Sequence, residues 1–283
     1  MNYDNFQIRR MTRADLDIAI DWAAEEGWNP GLYDRDCFFN TDPHGFFMGL
    51  LNNEPIACIS AVRYNEEFGF LGLYIVRKEY RGKGYGIKIW NEALKYLGDR
   101  IIGLDGVVSQ QKNYIKSGFT LDYQNIRYQA KATGEKVNYK DLVKLSTVPF
   151  DQLIDYDNQV FPASRPQFLQ YWINQPESLA IGALQDKKLT GYAVIRKCRV
   201  GYKIGPLFAD NENIAEKLFL TLIGFVKKGT EIYLDVPEVN PAGIVLTKRY
   251  GMQMVFETAS MYSKKPPISP IDKIFGVTSL EVG

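Results

Sequence analysis

The chain has 283 residues, a formal net charge of +1 and 46% hydrophobic content, enough to bury one large core or two ordinary ones. Its balanced charge argues against a general affinity for nucleic acid or anionic membrane. Three scattered cysteines, Cys37, Cys58 and Cys198, and a single histidine, His44, predict a reduced, metal-free cytoplasmic protein.

The opening segment "MNYDNFQIRR" lacks the apolar core of a signal peptide, but its "FQIRR" can form a strand. Thr12 and Asp15 resemble a capping box opening a helix whose apolar face holds Leu16, Ala19, Ile20 and Ala23. After the turn-rich "EEGWNPGLYD" come three predicted strands, "GFFMGLL", "PIACISAVRY" and "FGFLGLYIV". Helical spacing then takes over at Ile87, Trp90, Leu94 and Leu97, just after Gly86. "RIIGLDGV" predicts a strand, "QQKNYIKSGF" a short helix ending at Gly118, and "NIRYQA" a closing strand.

Residues 131–141, "KATGEKVNYKD", have the composition of a linker. Beyond them the pattern returns in the same order, as a diverged internal repeat. "KKLTGYAVIRK" parallels "EPIACISAVRY", "GYKIGPLF" parallels "GFLGLYIV", "IYLDVP" echoes "IGLDGV" and "TKRYGM" echoes "YIKSGF". Ile214, Leu218, Leu222 and Phe225 mark the matching helix, within which the longest apolar run, "LFLTLIGFV" at 218–226, is too short to span a bilayer. The expected organisation is a first copy over 1–130, a linker over 131–141, a second copy over 142–265 and a tail over 266–283. The tail holds a strand-like "KIFGVTSLEV" with no assignable place.

The glycine-rich "RGKGYG" fails as two common phosphate loops. A P-loop needs Ser or Thr after Gly-Lys, where Gly84 stands, and a dinucleotide fingerprint needs G-x-G-x-x-G, whereas Gly82, Gly84 and Gly86 are spaced evenly by two. The remaining arrangement is a strand, then V-x-x-x-x-R-x-x-G-x-G from Val76 through Arg81, Gly84 and Gly86, then a helix. This resembles motif A of the GNAT superfamily of acetyl-CoA-dependent acyltransferases. The chemistry suits such a loop, since glycines let backbone N–H groups reach a pyrophosphate at the positive end of a helix.

The resemblance implies a mixed α/β fold of two tandem GNAT-like domains and an enzyme that moves acetyl from acetyl-CoA to a small-molecule or peptide amine. No nucleic-acid or membrane partner is expected. The cofactor would lie on Tyr74, Ile75, Val76, Arg81, Gly82, Lys83, Gly84, Tyr85 and Gly86, with the Val76 amide polarising the thioester carbonyl. Tyr114, four residues before Gly118, stands where such enzymes place the tyrosine facing the thioester sulfur, and is the candidate general acid. Trp28 and Asn29, between the first two helices, are the acceptor-pocket candidates.

A general base is not identified. Glu66 and Glu67 read as an exposed hairpin, and Asp105 reads as structural because Asp235 matches it in the repeat. Cys58, among Ile56, Ala57 and Ile59, reads as a core residue, which favours direct transfer in a ternary complex. The second copy lacks R-x-x-G-x-G and has Thr247 at the place of Tyr114, but it keeps Asn240, where many GNAT domains carry asparagine. It is expected to support the first copy or wall its site. Two alternatives stand beside this reading, a non-catalytic CoA-binding module and an aminoacyl or peptidyl transferase, the latter disfavoured by the near-zero charge.

Overall fold

The computed structural model describes residues 5–283, so the first four residues of the opening segment lie outside it. The first copy comprises β1 (Phe6–Arg10), α1 (Asp15–Glu25), α2 (Asp34–Thr41), β2 (Phe46–Leu51), β3 (Glu54–Arg63), β4 (Phe68–Val76), α3 (Tyr85–Leu97), β5 (Ile101–Val107), α4 (Gln111–Lys116) and β6 (Thr120–Lys131). The second comprises β7 (Leu142–Lys144), α5 (Phe150–Asp157), α6 (Pro166–Trp172), β8 (Ser178–Gln185), β9 (Lys188–Lys197), β10 (Tyr202–Ala209), α7 (Glu212–Phe225), β11 (Glu231–Pro237), α8 (Pro241–Arg249) and β12 (Gln253–Tyr262). A short β13 (Ile274–Gly276) lies in the tail. The capping pair at α1 forms reciprocally: the Asp15 amide donates to Thr12 Oγ1 at 3.3 Å and the Thr12 amide donates to Asp15 Oδ2 at 2.7 Å.

All the strands belong to one sheet, ordered β1-β2-β3-β4-β5-β12-β6-β11-β10-β9-β8-β7, with β13 added on β10. The closing strands are exchanged. β12 lies against β5, with Thr258 opposite Val107, and β6 lies against β11, with Arg127 opposite Asp235. Residues 131–141 therefore separate the sequence copies but do not separate the folded halves, because each half takes its last ladder partner from the other.

One face carries a continuous core in which α1 and α2 meet α5 and α6. Phe38 and Trp172 stack across this seam at 6.3 Å. On the opposite face α3 packs over the first half, and α7 and α8 over the second. Two buried ion pairs tie the halves together, Arg196 with Asp34 at 2.9 Å and Arg127 with Asp235 at 2.7 Å. Breaking such a pair by removing one partner costs about 3–5 kcal/mol, because the other charge is left buried and alone. Among the described residues no helix is long and apolar enough to cross a membrane.

Candidate active site

The site begins with a flaw in β4. Its ladder with β3 shifts register between Cys58 and Ser60, and Leu73 adopts a φ of 45°, a left-handed conformation that a branched residue holds only under tertiary constraint. Parallel pairing of β4 with β5 runs from Phe68 opposite Ile101 only as far as Leu71 opposite Leu104. Beyond that point lies a cleft of about 520 Å³, lined by Leu71–Val76 of β4 and Leu104–Val107 of β5.

The glycine loop forms one end of this cleft. Gly82 and Gly84 have φ of 73° and 84°, and nothing stands within 4 Å of where their side chains would project. Gly84 is also the N-cap of α3, so the amides of the first turn lie at the helix's positive end. Gly86 is small for a different reason: a side chain there would fall 2.6 Å from the Tyr74 hydroxyl.

Tyr74, Ile75, Val76, Arg81, Gly82, Gly84 and Gly86 all line the cleft. Arg81 is held by its own neighbours, with Nε donating to the Val76 carbonyl at 2.7 Å and Nη2 to Glu26 at 2.6 Å. Lys83 and Tyr85 are not in the lining. Lys83 sits over the Tyr80 ring at 5.5 Å, and buried Tyr85 packs on Phe6 at 4.9 Å.

Tyr114 forms part of the inner wall. It rests on β5 at Gly106, where a side chain would come within 2.2 Å of its ring, and against Trp90 at 5.6 Å. Burial, with a smaller contribution from Tyr74, pushes its phenol well above the usual range and keeps it protonated. Trp90 belongs to the same wall, and its Nε1 is buried without a hydrogen-bond partner.

Asp105, expected to be structural, also lines the cleft. Burial raises its pKa to about 8; the bond from Asn125 Nδ2 at 2.8 Å and the Ser260 hydroxyl pull it down, while nearby Asp235 and Glu281 push it up. Its counterpart Asp235 differs. Bidentate Arg127 holds Asp235 below the ordinary carboxylate range despite burial, with Lys203 adding to the effect. The repeat equated the two because sequence position does not record that an arginine on the exchanged β6 faces only one of them.

The acceptor-pocket candidates part company. Trp28 lines the cleft, and its carbonyl accepts from Arg127 Nη1 at 2.6 Å and Lys203 Nζ at 3.4 Å. Asn29 lies outside the lining, because its amide bonds both the carbonyl and the N–H of Val200 at 2.9 Å and so anchors this loop to the second half. The hairpin glutamates lie outside the lining, Glu66 on Arg100 at 2.8 Å. Cys58 is fully buried, bonded to the Leu73 carbonyl at 3.1 Å, and burial pushes its thiol up, away from nucleophilic character.

Four residues of the wall come from outside the first copy and were not foreseen: Phe256 and Thr258 from β12, and Leu280 and Glu281 from the tail. They reach the first half through the strand exchange and the path of the last residues, which local pattern does not encode.

In the second half the matching gap is filled by the chain itself. β10 and β11 pair in parallel only from Tyr202 to Ile204, and β13 then adds antiparallel to β10, with Gly276 opposite Leu207. The Val277 amide continues across to the Asp235 carbonyl at 2.9 Å. A side chain at Gly276 would strike Leu234 at 2.5 Å, so the insertion is tight. Asn240 caps α8 and donates to the carbonyls of Ile271 and Ile274 at 3.0 and 2.9 Å, holding this insertion in place. Thr247 is buried, with its hydroxyl turned onto the Ile244 carbonyl at 2.9 Å.

Comparison with known proteins agrees with this geometry. The model of the acetyltransferase (GNAT) family matches residues 13–117, and that of an acetyltransferase (GNAT) domain matches residues 153–276. Holothin acyltransferase of a Pseudoalteromonas species is 33% identical over 267 residues, 94% of this chain and 90% of that protein. In fold, a proposed acetyltransferase from Pyrococcus horikoshii superposes with a TM-score of 0.83 at 22% identity, over 100% of this chain and 98% of its own. A tandem GNAT protein from the clavulanic acid biosynthesis pathway gives 0.64 at 10% identity, over 94% and 100%.

Proposed function

The chain belongs to the GNAT acetyltransferase family and is an acyltransferase, and we propose that its first half transfers acetyl from acetyl-CoA directly to a small amine, at one site per chain. The observation that carries this reading is the cleft between β4 and β5, with a helix-capping glycine loop at one end and Tyr114 and Asp105 on its walls. Acetyl-CoA, when bound, supplies an activated thioester carbonyl.

The residues present suit that group. The loop offers amides at the start of α3 with open space at Gly82 and Gly84, and Trp90 Nε1 offers an unused donor. Each amide bond to a charged oxygen contributes about 1.5–3 kcal/mol, so a few suffice without a metal. Arg81, already oriented by Val76 and Glu26, adds positive charge beside the loop.

Asp105 takes the proton from the attacking amine. A base with a pKa of about 8 is matched to neutral solution, strong enough to accept the proton yet partly ionised when the acceptor arrives. Tyr114 gives its proton to the departing thiolate. Its burial makes it a weaker acid than free phenol, but the same desolvated wall raises the proton affinity of the thiolate as its charge develops. Cys58, buried and with its thiol pushed up, is a poor acyl carrier, which favours direct attack in a ternary complex.

Trp28, Phe256 and Leu280 give the cleft an apolar side suited to a compact acceptor. The related holothin acyltransferase is named for acyl transfer involving holothin.

Calorimetric titration of acetyl-CoA into wild type and an Arg81→Ala/Gly84→Asp variant, with thiol release followed over a panel of amines, tests the proposal. Binding by wild type alone, one molecule per chain, with turnover on an amine is expected. Equal binding by both proteins overturns the assignment.

A further inference from the structure

Glu281 is 2% exposed, belongs to the cleft lining, and its Oε2 has no hydrogen-bond partner. An unpaired buried carboxyl oxygen is costly, so its presence calls for a partner outside the folded chain.

Its position is enforced. The Glu281 carbonyl accepts from the Ser60 hydroxyl at 3.2 Å, and its backbone lies so close to Gly72 that a side chain there would come within 1.9 Å. Ser279 Oγ accepts from the amides of Glu281 and Val282 at 3.2 and 3.1 Å. The last residues are fastened by Tyr64 donating to the Val282 carbonyl at 2.5 Å and Arg165 donating to the Gly283 carbonyl at 3.1 Å. A side chain fixed this firmly is a preorganised contact.

Its surroundings define what it takes. Thr258 Oγ1, also in the lining, is buried without a partner, and Asp105 is close enough to be influenced by the Glu281 charge. Phe256, Leu280 and Trp28 complete the wall. Two carboxyl groups beside aromatic and aliphatic surface suit a protonated amine on an apolar body. Of the basic neighbours, Arg127 and Lys203 are engaged by Asp235 and the Trp28 carbonyl, and Arg196 is paired with Asp34 through Nε and Nη2, with its Nη1 unpartnered.

We propose that Glu281 is the acceptor-recognition residue, which binds the ammonium group of an apolar-bodied amine and holds it until Asp105 removes the proton. This rests on the acyltransfer site assigned above. It places acceptor choice in the second half's closing strand and tail, and acyl-donor binding in the first half.

The test uses the full chain with 2-phenylethylamine and its neutral analogue 2-phenylethanol, titrated by calorimetry in the presence of CoA. Wild type is expected to bind the amine about tenfold or more tightly than the alcohol. Glu281→Gln, which keeps shape and burial, is expected to bring that ratio close to one and leave acetyl-CoA affinity within about twofold. Glu281→Asp, which keeps the charge on a shorter side chain, is expected between the two. With any amine that turns over, KM rises in Glu281→Gln while kcat changes little. An unchanged ratio in Glu281→Gln, absence of any amine preference in wild type, or failure of both probes to bind overturns the proposal. Loss of acetyl-CoA binding by wild type would instead overturn the donor site, while the amine-to-alcohol ratio would still judge Glu281.

Discussion

The two halves of this protein begin from the same elements and end with opposite uses of one gap. In the first half, β4 and β5 part to leave a cleft; in the second, β10 and β11 part and β13 fills the space. Matched positions follow the same division. Gly72 and Gly205 each follow the last residue paired in parallel, and each has tail backbone where a side chain would go, Glu281 at 1.9 Å and Thr278 at 2.4 Å. Asp105 faces the cleft with a raised pKa, whereas Asp235 is locked on Arg127. A duplicated fold can thus keep its scaffold in both copies while one gap stays open as a cleft and the other is converted into packing.

The sharpest way to break this comparison is to neutralise the two aspartates separately. Asp105→Asn is expected to lower kcat roughly a hundredfold or more while the protein stays folded, as for loss of a general base. Asp235→Asn is expected to lower stability by about 3–5 kcal/mol by stranding buried Arg127, read as a shift in denaturation midpoint. Equal activity losses at matched stability would erase the distinction.

Wild-type activity should also rise with pH up to about 8, where Asp105 becomes ionised, and this limb should vanish in Asp105→Asn. The stability sign is the reverse. Folded Asp105 keeps its proton up to about pH 8, whereas in the unfolded chain it releases it near 4, so its stabilising contribution is complete below that lower value. It is lost as pH rises from about 4 to 8. Denaturation of wild type and Asp105→Asn across that window measures the difference.

The two loops give the next contrast. Gly84→Asp is expected to weaken acetyl-CoA binding about ten- to a hundredfold, by adding a charge and a side chain where φ is 84°. At the start of the matching helix, Asn211 caps the Ile214 amide at 3.0 Å. Asn211→Ala should cost only about 1 kcal/mol of stability and leave acetyl-CoA binding unchanged. Calorimetry and thermal unfolding of both variants separate these roles.

Smaller effects are expected at the paired hydroxyls. Tyr114→Phe should lower kcat about tenfold with little change in KM, and Thr247→Ser should leave both constants near wild type. A kinetic effect of Thr247→Ser as large as that of Tyr114→Phe would give the second half a catalytic part.

Much of the fold was legible because its signals are local. Short apolar runs bounded by turn residues gave β2, β3 and β4, and recurrence of the same order gave the second copy. Helical spacing gave α3, but its buried face is Tyr85, Ile89, Trp90, Ala93 and Leu97, and Ile87 of the expected face is exposed. The spacing of Arg81, Gly84 and Gly86 marked the loop because left-handed backbone and close approach restrict residue type at the loop itself. Lys83, Tyr85 and Asn29 were drawn in by proximity in sequence, but alternate residues of a turn point apart and Asn29 turns to Val200.

By itself, then, the sequence determined the two-copy α/β plan, the strand–loop–helix unit and the place of Tyr114, since each is written in neighbouring residues. Only the tertiary structure decided which aspartate faces the cleft, that the closing strands exchange, and that the tail plugs one gap before delivering Glu281 to the other. Those outcomes depend on pairings between residues more than a hundred positions apart, Arg127 with Asp235 and Ser60 with Glu281 among them, which no local pattern specifies.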